Sequence, residues 1–111
     1  MKKANQMAVN ELCNKAYGKV IDYIDRNVYN IVDEYRLLNC QAKVVEYPDY
    51  ICLYSYRTMV AFIDLNNDTC YDVLRLVYGY TATSAQHIAK FYHKFSKELS
   101  VQPSLLRYYD R

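Results

Sequence analysis

The chain reads as an α+β domain: a long N-terminal helix (or two helices), an antiparallel β-meander of about four strands, and a C-terminal amphipathic helix. Three observations predict this. Apolar residues recur at helical spacing up to about Leu38, the period changes to two from Cys40, and it returns to helical spacing after Thr83. With 111 residues the chain is one domain, 1–111, and the order helix, meander, helix predicts two packed layers.

The first element rests on Ala8, Leu12, Ala16, Val20, Ile24 and Val28, followed by Ile31 and Tyr35, at steps of four or three. Gly18 and the pair Arg26-Asn27 are weak points, so a break near Asn27 would divide it into two helices. Next, Ala42, Val44 and Glu46 alternate with Lys43, Val45 and Tyr47, and Pro48-Asp49 makes a turn. Tyr50, Cys52, Tyr54 and Tyr56 are expected on one face of the following strand, with Ile51 and Leu53 on the other. Arg57 sits at a tight reversal. Thr58 to Leu65 is apolar on both faces, with Val60 and Phe62 opposite Met59, Ala61 and Ile63, which predicts a central strand. Asn66-Asn67-Asp68 is a hairpin loop, and Cys70 to Tyr80 is expected as the last strand. Thr83-x-x-Gln86 fits a capping box at the start of a helix whose apolar stripe is Ile88, Phe91, Tyr92, Phe95 and Leu99. Pro103 ends that pattern, and Leu105 to Tyr109 is a hydrophobic tail that must dock on the domain or on a partner.

Composition narrows the function. Hydrophobic residues make up 52% and charged residues 23%, a globular balance, and the net charge of +2 is too small for a protein that coats nucleic acid by overall charge. Tyr contributes 14 residues against three Phe and no Trp, and its apolar body with a polar tip suits interfaces. It serves equally as a core residue. Cys13, Cys40, Cys52 and Cys70 have no zinc-type spacing, so no metal and no cofactor is expected, and the thiols read as reduced, buried small hydrophobes. The N-terminus has no signal-peptide pattern and no apolar run reaches spanning length. The expected location is therefore the cytoplasm, that of a bacterial host given the resemblance below, with no membrane partner.

Four constellations are candidates for function. His87, Lys90, Lys94 and Lys97 fall on one side of the last helix, where they could follow a phosphate backbone, meet an acidic protein groove, or simply be solvated. Thr81, Thr83 and Ser84 with the first free N–H groups of that helix form an anion site to which Arg57 or Arg75 could add charge; plain capping would also account for Thr83. Tyr50, Tyr54 and Tyr56 could stack on bases or pack beneath a helix. For catalysis, His87 and His93 have no nucleophile motif beside them, and Asp64 and Asp72, flanking a hairpin, could approach as a carboxylate pair for a metal or, the favoured reading, face water at the strand ends. No catalytic residue is assigned and no enzyme is expected.

Ser55-Tyr56-Arg57-Thr58-Met59-Val60-Ala61, followed by Tyr80-Thr81-Ala82-Thr83-Ser84-Ala85-Gln86-His87, resembles a family of small proteins from phages and other mobile elements. Their pattern is an "S-Y-x-T-x-V-A" strand, then "Y-S-x-T-T-S-x-H" opening a helix. Tyr56, Thr58, Val60, Ala61, Tyr80, Thr83 and His87 match; Ala85 and Gln86 depart from the pattern, which weakens an inherited anion site. The likeness covers roughly residues 50–95. The family is mostly without assigned function, and small phage proteins of this kind often inhibit host machinery, defence systems included. The resemblance implies a phage-type origin and a compact αβ module. Together with the small size, the Tyr enrichment and the lack of catalytic motifs, it leads to the expectation of a binding protein that occludes a host protein or nucleoprotein, with an anti-CRISPR role against a CRISPR effector the first target class. Its contacts would be Lys90, Lys94 and Lys97 together with Tyr54, Tyr56, Tyr108 and Tyr109. The alternative is a small nucleic-acid or nucleotide-binding module. A homodimer through the first helix or the tail is also expected, because a small domain gains buried area by pairing.

Overall fold

The computed structural model describes residues 3–37 and 41–109. Helix α1 spans Lys3–Arg26 and is followed by strands β1 (Asp33–Arg36), β2 (Ala42–Glu46), β3 (Tyr50–Ser55), β4 (Thr58–Asp64) and β5 (Thr69–Asp72). A single turn, α2 (Leu74–Val77), leads to helix α3 (Ala82–Glu98) and strand β6 (Ser104–Arg107). The six strands form one sheet in sequence order. All neighbours are antiparallel except β5 and β6, which run parallel because α3 carries the chain back to the starting end.

The fold is α+β as the sequence predicts, with six strands instead of about four. The break foreseen near Asn27 is real: α1 stops at Arg26, and the Asn27 side chain donates to the Tyr23 carbonyl at 2.8 Å. The next segment is not a second helix. Val28, Ile31 and Val32 are β-branched and too few turns remain to support a helix, so the chain extends into β1. The stretch from Cys70 to Tyr80 is likewise a strand only to Asp72. Val73 donates its N–H to the Val60 carbonyl, then the chain coils through α2 and reverses at Gly79, whose φ of 106° suits glycine alone. The expected tail is β6, seated beside β5.

The expected two layers are three. Cys13 and Val20 of α1 meet one sheet face with Val45, Tyr50, Cys52, Met59, Phe62 and Tyr71. Ile88, Phe91 and Phe95 of α3 meet the other with Val44, Ile51, Leu53, Val60, Ala61 and Ile63. Central β4 is therefore covered on both sides, as its two apolar faces require. The alternation expected for it breaks at one point. Tyr54 pairs with Met59 and Leu53 with Ala61, so Val60 is an extra residue, a β-bulge that sends Met59 to the α1 side and Val60 to the α3 side. The sheet-facing side of α1 is buried and the tail is a sheet strand, while Met7, Leu12 and Ile21 remain exposed on the outer side of α1.

Candidate functional site

The site lies where the β3–β4 turn meets the start of α3. Ser55 is the last residue of β3 and points toward α3. Thr81 is extended at φ −133° and ψ 142°, and its Oγ1 accepts the Ser84 N–H at 3.2 Å. Thr81 is thus the N-cap, two residues before the Thr83 that the capping-box pattern suggests. The cap places Ser84 in the first turn and His87 one turn on, both facing Ser55. Ser55 Oγ lies 2.8 Å from Ser84 Oγ and 2.8 Å from His87 Nδ1. All three side chains belong to buried residues, between 3% and 5% exposed. Either His87 tautomer satisfies the chain: the hydroxyls can donate toward Nδ1, or Nδ1–H can donate toward them. Burial, then the charge of Lys90, lowers the His87 pKa, so the ring is neutral at pH 7.

Above this cluster opens a cavity of about 280 Å³. Ser55, Tyr56, Thr58 and Val60 form the strand side, and Tyr78, Thr81, Thr83 and Ser84 the helix side. Hydroxyls and tyrosine rings line it, and no lining residue is acidic. Tyr56 occupies the turn at φ 60°, a left-handed conformation costly for a bulky side chain, with its ring 6.0 Å from that of His87. Strain of this kind persists where surrounding contacts hold it, and it collects at functional positions. Beside the cavity the chain exposes Tyr78 and Tyr80 around Gly79. The Arg75 guanidinium lies 4.5 Å from the Tyr80 ring and 4.5 Å from the Tyr109 ring, held between two aromatic faces.

Thr81, Thr83, Ser84 and Tyr56 meet at this cavity. Arg57 is exposed on the adjacent turn and is not part of its wall. The basic stripe is shorter than its spacing suggests. His87 is buried, Lys94 pairs with Glu98 and lies over the Tyr35 ring, and Lys90 and Lys97 are exposed. Tyr50, Tyr54 and Tyr56 do not share an open face. Tyr50 is buried edge-on to Tyr23, and Tyr54 packs on the α1 side with Lys43 over its ring. Tyr56 leaves the strand toward α3. Tyr108 packs partly on the α1 side, whereas Tyr109 remains exposed.

The carboxylate pair does not form. Asp64 stands opposite Thr69 and Asp72 opposite Ala61. Asp72, expected near water, is buried, accepting the Leu74 N–H at 3.2 Å and Arg107 Nε at 2.7 Å. Among the described residues no group of His, Cys, Asp and Glu could hold a metal ion. Cys13, Cys52 and Cys70 are buried free thiols; burial pushes Cys13 up to about 11, Cys52 up to about 12, and Cys70 higher still. Cys40 lies outside the described residues. No helix of the described residues is long and apolar enough to cross a membrane.

Ser55 and Tyr78 are site residues that spacing missed; His87 was singled out for the basic stripe and Arg75 for added charge, and the structure instead buries His87 against Ser55 and holds Arg75 between tyrosine rings. The signal was the pair of segments resembling the phage-type family: one carries Ser55, Tyr56 and Thr58, the other Thr81, Thr83, Ser84 and His87, and they meet across this cavity. No family model, no curated protein and no solved structure matches the chain.

Proposed function

We propose that the protein acts by binding, without chemistry of its own, and that it occludes a surface of a host protein or nucleoprotein. The observation that carries this reading is the group of exposed tyrosines around the cavity: Tyr56 at 61%, Tyr78 at 68%, Tyr80 at 57% and Tyr109 at 41% exposure, with Arg75 between two of them. Tyrosine and arginine dominate the energetic centres of protein interfaces, because they bury large areas while losing little side-chain freedom. The cavity, about 280 Å³, has room for an inserted side chain of a partner. The resemblance to small phage and mobile-element proteins supports a host target, with defence proteins, CRISPR effectors among them, as the first class to test. It also makes the bacterial cytoplasm the proposed location.

The test is capture from bacterial lysate with and without nuclease. A protein partner retained after nuclease, and lost when Tyr78 and Tyr80 are both replaced by Ser, supports the reading. Loss of every partner on nuclease treatment, with a salt-steep affinity set by Lys90, Lys94 and Lys97, contradicts it and supports nucleic-acid binding.

A further inference from the structure

The two edges of the sheet are treated differently. At the β6 end of the sheet α1 covers part of the edge: Gln6 donates to the Arg107 carbonyl at 3.1 Å, and Asn10 both donates to the carbonyl of Tyr109, just past the strand, at 3.1 Å and accepts its N–H at 3.0 Å. At β1, among the described residues, β2 is the one neighbouring strand and Asp33, Glu34 and Arg36 are exposed. The segment leading into that open edge exposes Val28, Tyr29, Ile31 and Val32, with Tyr29 at 97%. An unpaired edge beside exposed apolar residues is a surface that natural proteins usually guard.

The phase of the hydrogen bonding shows which groups the edge offers. Leu37 N–H donates to the Ala42 carbonyl at 2.8 Å, in line with the register that pairs Asp33 with Glu46 and Arg36 with Lys43. Inward bonding alternates along an antiparallel strand, so Asp33 and Tyr35 bond toward β2, and Glu34 and Arg36 turn their backbone groups outward. The outward Glu34 N–H is held by the Asp33 carboxylate at 2.8 Å, a local contact that pairing with a second strand must replace. When this strand pairs antiparallel with itself about a two-fold axis at Tyr35, each Glu34 stands opposite the Arg36 of the other copy. Arg36 makes no ion pair among the described residues, and Glu34 keeps Lys43 at 3.1 Å on its own chain. The charges that would protect an edge by repulsion are, in this register, complementary.

We propose that β1 is the interface between two copies of this chain, joined edge to edge through Glu34 and Arg36 into one continuous sheet. The contact is isologous and uses the β1 edge of both copies, so it closes at two. A strand of four residues makes a small interface, so association in the micromolar range is expected.

The experiment is sedimentation equilibrium on the full chain over a wide concentration range, with Arg36→Glu, Glu34→Arg and their equimolar mixture. Both positions are exposed, and circular dichroism confirms the fold of each variant. Arg36→Glu sets Glu against Glu, and Glu34→Arg sets Arg against Arg, so each variant alone should dissociate roughly tenfold more readily. In the mixture every Glu faces an Arg, and dimer should return. A wild type that stays monomeric throughout overturns the proposal. So does a dimer indifferent to both reversals, or a mixture no more dimeric than its components.

Discussion

Replacing Ser55 by Ala tests whether the buried cluster beneath the cavity is a structural element in its own right. Ser55 Oγ is the middle of a three-member chain, 2.8 Å from Ser84 Oγ and 2.8 Å from His87 Nδ1. Its removal deletes two hydrogen bonds and leaves a buried hydroxyl and a buried imidazole nitrogen without that partner. A typical neutral hydrogen bond contributes about 1 kcal/mol net, and an orphaned buried group costs about 1–3 kcal/mol. The loss is expected at about 2 kcal/mol, which for a domain of this length lowers the melting temperature by roughly 8 °C. Urea and thermal unfolding at pH 7.5 measure it. Ser84→Ala removes one bond and leaves the Ser55–His87 contact, so it should cost about 1 kcal/mol. The double variant should cost less than the two singles added together, because both act on the same chain of bonds. A loss below about 0.5 kcal/mol for Ser55→Ala would mean that the cluster is not formed as described or that water replaces it freely.

The same geometry yields further expected outcomes. Tyr56→Gly relieves the positive φ while giving up chain stiffness, so stability should stay within about 1 kcal/mol of wild type as partner capture falls; unfolding and binding measured together separate the two effects. Folding lowers the His87 pKa, so the unfolded chain takes up this proton first. Stability should be full above about pH 6.5 and decline as pH falls through that value, and the decline should flatten in His87→Gln, read by unfolding across pH 5–8. In a Cys40→Ser background, Cys13, Cys52 and Cys70 should resist a disulfide-exchange reagent at pH 8 and react fully once the chain is denatured. Arg107→Ala leaves the buried Asp72 carboxylate with only the Leu74 N–H of these two partners. Since the arginine is half exposed, the cost should be modest, about 1 kcal/mol by urea unfolding.

Much of the fold was legible because periodicity reports burial. The two apolar faces of β4, the Asn66-Asn67-Asp68 loop and the stripe from Ile88 to Leu99 lie where their spacing places them, whereas of the α1 stripe Ala16, Val20 and Ile24 face the sheet while Ala8 and Leu12 are exposed and Val9, Cys13 and Tyr17 take their place. The errors among the strands have a common cause: alternation cannot show where one backbone residue departs from the pattern. The bulge at Val60 exchanges the faces of Val60 and Met59. The turn through α2 replaces the strand that the alternation of Leu74, Leu76, Tyr78 and Tyr80 would continue. Tyr35 fits a helical step of four from Ile31, but also pairs with Val44 across the sheet, and pairing prevails where β-branched residues precede it. At the site, Thr81, Thr83 and Ser84 were legible as a helix start. The contact of Ser55 with His87 was not legible, since the two are 32 positions apart and only the tertiary fold brings them together.

The central claim is that the tyrosine-lined face around the cavity is what the protein binds with, and its most direct test is an affinity comparison on the nuclease-resistant partner captured from lysate. Wild type, Tyr78→Ser with Tyr80→Ser, and Lys90→Glu with Lys97→Glu would be titrated against that partner at two salt concentrations. Loss of two exposed aromatic contacts of this kind should cost at least about 2 kcal/mol, some thirtyfold in Kd, while the lysine variant and added salt change the affinity little. Equal affinity of the tyrosine variant and wild type, or a loss confined to the lysine variant, would contradict the account.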